Sequence, residues 1–277
     1  MVLVVASCSP EDVVRRSGGT DSSDTGMVVV YMDGKYDSIA SPDQRKKDKP
    51  VEWQTLPNGV KIRYHRRGKG NHPVMEDVVE YDFTKKPVGG KVFDASRSTG
   101  KPVAVMLGLD LILKAWQEAI MTLVPGDSVT MVIPSSLAYG GKGLDRLVPP
   151  DTDLEISMNL RRVIKPETAD NNVLIYRFTD GAGPFPADGQ TITTKYFAFH
   201  RKGTMYDASA RNNAPFTFRL GQGNMMAGLM DGFRKLRKGD WAYLVIPADR
   251  AFGSKGLQDL VPPNTDVVYM VEVIDIQ

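Results

Sequence analysis

Cysteine is all but missing from this chain of 277 residues, which carries one, Cys8. A single cysteine rules out an intramolecular disulfide and leaves no thiolate cluster of the kind zinc requires. Histidine is nearly as scarce: His65, His72 and His200 are scattered, without the spacing of a metal-ligand set. No apolar run approaches the roughly twenty residues that a membrane-crossing helix needs. Neither sign of charge is in excess, since 35 basic side chains face 33 acidic ones for a formal net charge of +2. That balance builds no field to draw nucleic acid. Also missing is a glycine-rich turn between a strand and a helix, so Gly140, Gly141 and Gly143 read as a plain loop, and no nucleotide or other cofactor is expected.

What the chain does have is an internal repeat. An offset of 113 residues lays Val92-Phe93-Asp94-Ala95-Ser96 on Met205-Tyr206-Asp207-Ala208-Ser209, Ile133-Pro134 on Ile246-Pro247, and Leu147-Val148-Pro149-Pro150 on Leu260-Val261-Pro262-Pro263. From Val92 to Ile164 no gap is needed. Upstream, Val60 and Val173 keep the same offset, whereas Tyr81 and Tyr196 are 115 apart. That mismatch predicts a loop two residues longer before the tyrosine in the second copy, offset by a turn two residues shorter after it. Each copy has the size of one domain, which gives domains at 51–165 and 171–277 with a short polar linker between them.

Residues 9–50 are polar and without a sustained pattern, as expected of a tether, with room for a small hairpin at 27–39. Before them, Val2-Leu3-Val4-Val5-Ala6-Ser7 leads into Cys8. This resembles the end of a bacterial lipoprotein signal, in which the cysteine is acylated and becomes the mature N-terminus. The run is shorter than a complete signal, which implies a start inside it or trimming. The resemblance implies lipidation at Cys8, a lipid anchor to the membrane and a place in the bacterial cell envelope, on the periplasmic side.

Alternating apolar and polar residues predict half-buried antiparallel strands at 77–83, 103–107, 128–133 and 153–163. One helix per copy is evident. Leu111, Ile112, Ala115, Trp116 and Ala119 recur at helical spacing behind Asp110, and Met225, Met226, Leu229 and Phe233 match them behind Asn224. One short helix against a curved antiparallel sheet, twice over, is an α+β plan in which the apolar helix face lies on the concave side of its sheet.

In order and spacing, Tyr81, Gly90-Lys91-Val92-Phe93-Asp94, Pro102, Leu107-Gly108, Ile112, Leu113, Trp116, Ile133-Pro134, Ala138-Tyr139-Gly140 and Val148-Pro149-Pro150 resemble the FKBP-type peptidyl-prolyl cis/trans isomerases. The resemblance covers nearly all of 57–164 and returns in the second copy. It implies two FKBP-like domains, each with a pocket. In the first, Trp116 is the implied floor and Tyr81, Phe93, Val103, Leu147, Val148 and Ile156 the walls. Asp94 and Tyr139 supply polar contacts, and the backbone N–H of Ile112, beside Leu113, receives a carbonyl. In the family Phe is commoner at the positions of Val103 and Ile156. An apolar cluster around a tryptophan would by itself read as core; the resemblance turns it into a cavity lining.

The second copy departs further. Tyr196, Tyr206, Asp207, Phe216, Val261 and Tyr269 keep an aromatic, acidic lining, but Leu229 stands where the tryptophan belongs and Phe252 replaces Tyr139. Losing that hydroxyl costs on the order of 1 kcal/mol of ligand affinity. Met225, Met226 and Met230 suggest an adaptable apolar surface.

The chemistry implied is rotation about an X–Pro bond, whose barrier of about 18–20 kcal/mol is lost amide resonance. It needs no nucleophile. An apolar, water-poor wall favours the twisted amide over the planar one. The implied partners are X–Pro segments of unfolded or exported proteins, and macrolide immunosuppressant-type ligands. Three readings stay open: an isomerase that assists folding, acting mainly through the first pocket, a chaperone-like binding module in which turnover is incidental, and a purely structural role with the pockets as spacers. The last would predict polar or bulky substitutions across the lining that the first copy does not show.

Overall fold

In the computed structural model, residues 52–277 are described apart from Lys101, Lys202, Asn213 and Asn224. Cys8, the tether at 9–50 and the hairpin expected at 27–39 lie outside the described residues.

Alternation along the long strands makes the first sheet. β1 (Gln54–Thr55), β2 (Lys61–Arg66), β3 (Val78–Pro87), β4 (Asp94–Ala95), β5 (Val103–Met106), β6 (Ser128–Ile133) and β7 (Leu154–Ile164) pair antiparallel in the order β1-β2-β6-β7-β3-β4, with β5 also on β3. In β7 the side chains of Leu154, Ile156, Met158 and Leu160 are buried on one face. Each is worth about 1.5–3 kcal/mol on leaving water. Against this face lies α1 (Lys114–Ile120), which buries Ala115, Trp116, Ala119 and Ile120.

The same plan recurs in the second sheet. β8 (Glu167–Thr168), β9 (Leu174–Thr179), β10 (Thr191–His200), β11 (Met205–Ala208), β12 (Phe216–Arg219), α2 (Ala227–Phe233), β13 (Trp241–Ile246) and β14 (Val267–Ile276) follow in chain order. The sheet order is β11-β10-β14-β13-β9-β8, with β12 also on β10. Two separate apolar cores result, one centred on Trp116 and one on Leu229 and Phe233.

Both helices begin later than the apolar spacing suggested. Leu113 takes φ −53° and ψ 134°, and Met226 φ −50° and ψ 128°, so an extended residue precedes each helix. Leu111 and Ile112 therefore cover the core from a loop, and Met225 and Met226 do the same in the second copy. Seven residues are too few for a helix to persist alone; burial of its inner face holds it.

The expected two-residue slip before Tyr196 is absent. Phe83 pairs with Met158 and Tyr196 with Val271, and the register shifts fall between Glu80 and Tyr81 in β3 and between Thr193 and Thr194 in β10. The backbone N–H of Phe83 donates to Ser96 Oγ, and that of Tyr196 to Ser209 Oγ, each at 3.0 Å. Phe83 is thus the counterpart of Tyr196, while Tyr81 corresponds to Thr194, and the two copies are gapless here. Identity of side chain had suggested the slip; the paired strands, with a bulge at the same place in each, exclude it.

Residues 52–277 form one compact unit. Val78 and Met106 from the first sheet, and Tyr176, Tyr243, Val245 and Val268 from the second, are buried yet belong to neither core. They pack between the sheets. Arg162 Nη2 donates to the carbonyl of Phe178 at 2.9 Å, and Arg201 Nε to Glu76 Oε1 at 2.6 Å.

Candidate active site

The first pocket is floored by rings that pack edge to face. Trp116, 3% exposed, has its ring 5.5 Å from that of Tyr81 and 5.3 Å from that of Phe83, and Tyr81 and Phe83 are 5.9 Å apart. Such pairs add about 0.5–1.5 kcal/mol each beyond area burial and leave little freedom to tilt. Trp116 Nε1 donates to Met158 Sδ at 3.4 Å, so the indole is anchored from below. Val148 and Ile156 are fully buried beside it, while Phe93, Val103, Ile112, Leu113 and Tyr139 are half-buried around the rim. Leu147, expected as a wall, is 48% exposed on its loop and outside the core. Among the described residues the N–H of Ile112 has no acceptor.

The loop that presents Val148 is fixed by backbone. Leu144 and Val148 form an isolated antiparallel bridge. Gly143 turns the chain at φ +64°, and a Cβ there would sit 2.3 Å from the Val148 carbonyl oxygen. Gly256 repeats this against Val261, so glycine is required at both places.

Two residues that sequence reasoning passed over complete the first site. Phe83 is one of the three floor rings. Lys85, two residues further along β3, is 8% exposed, and its Nζ lies 2.7 Å from Asp94 Oδ2. The same ammonium stands 5.4 Å from the Phe93 ring centroid and 5.8 Å from those of Phe83 and Trp116. Carrying the 113-residue offset upstream without a gap would have found both, setting Phe83 on Tyr196 and Lys85 on Ala198.

The second site holds its carboxylate differently. Tyr196 O–H donates to Asp207 Oδ2 at 2.7 Å, and Tyr206 O–H to the Tyr269 hydroxyl at 3.0 Å. Phe216 stacks on Phe218 at 5.8 Å and meets Tyr196 edge-on at the same distance. Phe252 packs edge-on to Tyr206 at 6.2 Å, Val261 is fully buried, Leu229 is 7% exposed, and Met225, Met226 and Met230 are half-buried over that core.

Burial pushes the hydroxyls of Tyr81, Tyr196 and Tyr206 well above the ordinary tyrosine range. Asp207 adds to this at Tyr196, and Tyr269 adds to it at Tyr206. Burial raises Tyr269 to about 12. All four stay neutral donors at physiological pH.

Each copy is thus an antiparallel sheet closed on one short helix, and in the first copy a buried indole, packed edge-on to two rings, lies near an ion-paired carboxylate. The sequence pattern of the FKBP-type peptidyl-prolyl cis-trans isomerases matches residues 69–161 and again 183–274, and the chain belongs to that family. It is 27% identical over 199 residues to human peptidyl-prolyl cis-trans isomerase FKBP10, covering 72% of this chain and 34% of that protein. It thus spans about a third of that relative's length. It is 34% identical over 111 residues to FK506-binding protein 1 of Saccharomyces cerevisiae, covering 40% of this chain and 97% of the yeast protein. With peptidyl-prolyl cis-trans isomerase Mip of Coxiella burnetii it shares 33% over 112 residues, 40% of this chain and 48% of Mip. Among solved structures, the three FKBP domains of wheat FKBP73 align at TM-score 0.42 and 24% identity, over 80% of this chain and 96% of that one.

Proposed function

We propose that this chain is a peptidyl-prolyl cis/trans isomerase that assists the folding of exported proteins, with its main catalytic pocket in the first domain, 51–165, and a weaker pocket in the second, 171–277. The observation that carries the reading is the indole of Trp116, buried edge-on to Phe83 and Tyr81, with Phe93 and Tyr139 half-buried against the same core. A proline ring laid there leaves water while its amide stays at the rim. The twisted amide, with its less polarised carbonyl, is favoured in that environment over the planar one. Asp94 at the rim contributes a fixed charge beside the rotating bond, and Ile112 N–H an anchor for a substrate carbonyl. The same lining suits macrolide immunosuppressant-type ligands.

The test is a prolyl isomerisation assay on short X–Pro peptides with the full chain and its Trp116→Leu variant, which gives the first site the residue found at Leu229. A loss of about tenfold in kcat/KM, ~1.4 kcal/mol, is expected. Undiminished turnover in a folded Trp116→Leu protein would remove the first pocket from the mechanism. Turnover unchanged in Asp94→Ala would remove the carboxylate.

For the second domain a client-binding role is favoured by Phe216, 39% exposed and stacked on Phe218, and by three methionines half-buried over the second core. This is a chaperone-like surface for unfolded segments, with incidental turnover. Cys8 would tether both domains to the envelope membrane through a lipid. Mass spectrometry of the mature protein from its host distinguishes a diacylglyceryl cysteine from an unmodified one.

A further inference from the structure

The Lys85 ammonium stands beside the rings and the carboxylate of the first site, and among the described residues no lysine takes the corresponding place in the second. Its counterpart is Ala198, on a strand with the same register. The exchange is one of volume as well as charge. Where the second copy has the larger Phe216 and Tyr269, the first has Val103 and Ile156, and its lysine side chain is 10% exposed. It is also one of hydrogen bonding. Phe83 has no hydroxyl with which to hold Asp94 as Tyr196 holds Asp207, and the Lys85 ammonium takes over that carboxylate.

The charge balance at the two sites follows. In the first, Lys85 and Asp94 cancel. In the second, Asp207 has a hydroxyl partner and, as its one countercharge among the described residues, the exposed guanidinium of Arg211, 3.9 Å away. Asp94 engages one of the three N–H donors of Lys85, and the ammonium stands over the rings of Phe93, Phe83 and Trp116. A segment lying on Trp116 therefore meets a cation with donors to spare.

We infer that Lys85 is a specificity-determining residue of the first pocket, which selects X–Pro segments with an acidic side chain next to the proline over those with a basic one. The second pocket, with a carboxylate and no lysine, lacks that preference. This rests on the isomerase reading for its substrate class, but its test reads binding and so stands apart from turnover.

Peptides differing only in Glu, Leu or Lys before proline are titrated against the full chain, following tryptophan fluorescence. Lys85→Gln keeps a donor for Asp94 and removes the charge; Lys85→Arg keeps the charge. The wild type is expected to bind the Glu peptide about three- to tenfold more tightly than the Lys peptide, a ratio that shrinks in high salt. Lys85→Gln leaves Asp94 without its countercharge and brings the ratio to one or below, and Lys85→Arg retains the preference. An equal ratio in wild type and Lys85→Gln, both folded by circular dichroism, overturns the inference. So does a wild-type ratio at or below one. Absence of turnover with the binding preference intact would instead sink the isomerase reading alone.

Discussion

The hydroxyl of Tyr243, in the second sheet, donates to the carbonyl oxygen of Ala104, in the first, across 3.2 Å. Tyr243 is fully buried, and desolvation pushes its ionisation well above the ordinary tyrosine range. Because that ring fills the contact between the sheets, the two domains are expected to unfold together. Tyr243→Phe should cost about 1 kcal/mol, and Tyr243→Ala about 3–5 kcal/mol through the cavity it leaves. Calorimetry of the wild type should give one transition and Tyr243→Ala two. Two transitions already in the wild type would show that the contact does not couple them.

Gly143 and Gly140 both have positive φ, +64° and +57°, but only at Gly143 would a Cβ meet backbone. Gly140→Ala should cost about 1 kcal/mol, the ordinary penalty of a left-handed residue. Gly143→Ala adds the collision with the Val148 carbonyl and should exceed it by at least about 1–3 kcal/mol, displacing the pocket loop. Chemical denaturation of the two variants side by side reads the difference, and equal costs would mean the loop yields freely.

Alkaline pH should weaken the second domain through Tyr269. Its ionisation lies near 10 unfolded and about 12 folded, so the folded state keeps the proton longer. The stability this contributes is whole below pH 10 and is lost as pH rises from 10 towards 12. Denaturation midpoints between pH 8 and 11, with Tyr269→Phe as reference, test this. The variant should show the shallower decline, and parallel curves would contradict the assignment.

Asp231, 5% exposed on α2, accepts from Asn171 Nδ2 at 3.0 Å, Arg234 Nη1 at 3.1 Å and Arg250 Nη2 at 2.5 Å. The acid ties the helix to the β8–β9 turn and to the loop after β13. In the first copy Glu118 takes the same place, accepting from Asn58 Nδ2 at 2.7 Å. With Arg250 Nε also donating at 3.2 Å, Asp231→Ala strands four donors and should destabilise by about 2–4 kcal/mol; Glu118→Ala loses one and should cost about 1 kcal/mol. Urea unfolding of each variant measures the gap, and equal losses would deny Asp231 its wider role.

Much of the plan was legible beforehand. The strands at 103–106, 128–133 and 154–164 follow from alternation, because a half-buried strand must repeat its apolar residues at every second position. Helix starts were less legible. Leu111 and Ile112 are spaced as if helical, yet they serve the core equally well from an extended loop, and spacing cannot distinguish the two.

By itself the sequence determined the repeat at 113 residues, one helix and one sheet per copy, membership of the FKBP family, and the exchange of Trp116 for Leu229. These are properties of order and periodicity, which a linear chain carries in full. Tertiary structure alone decided that Phe83, not Tyr81, stands opposite Tyr196, that Lys85 meets Asp94, and that Tyr243 closes the gap between the sheets. Strand register, the direction of a long side chain and the docking of two surfaces arise from contacts between residues distant in sequence. No local pattern records which partner each will find.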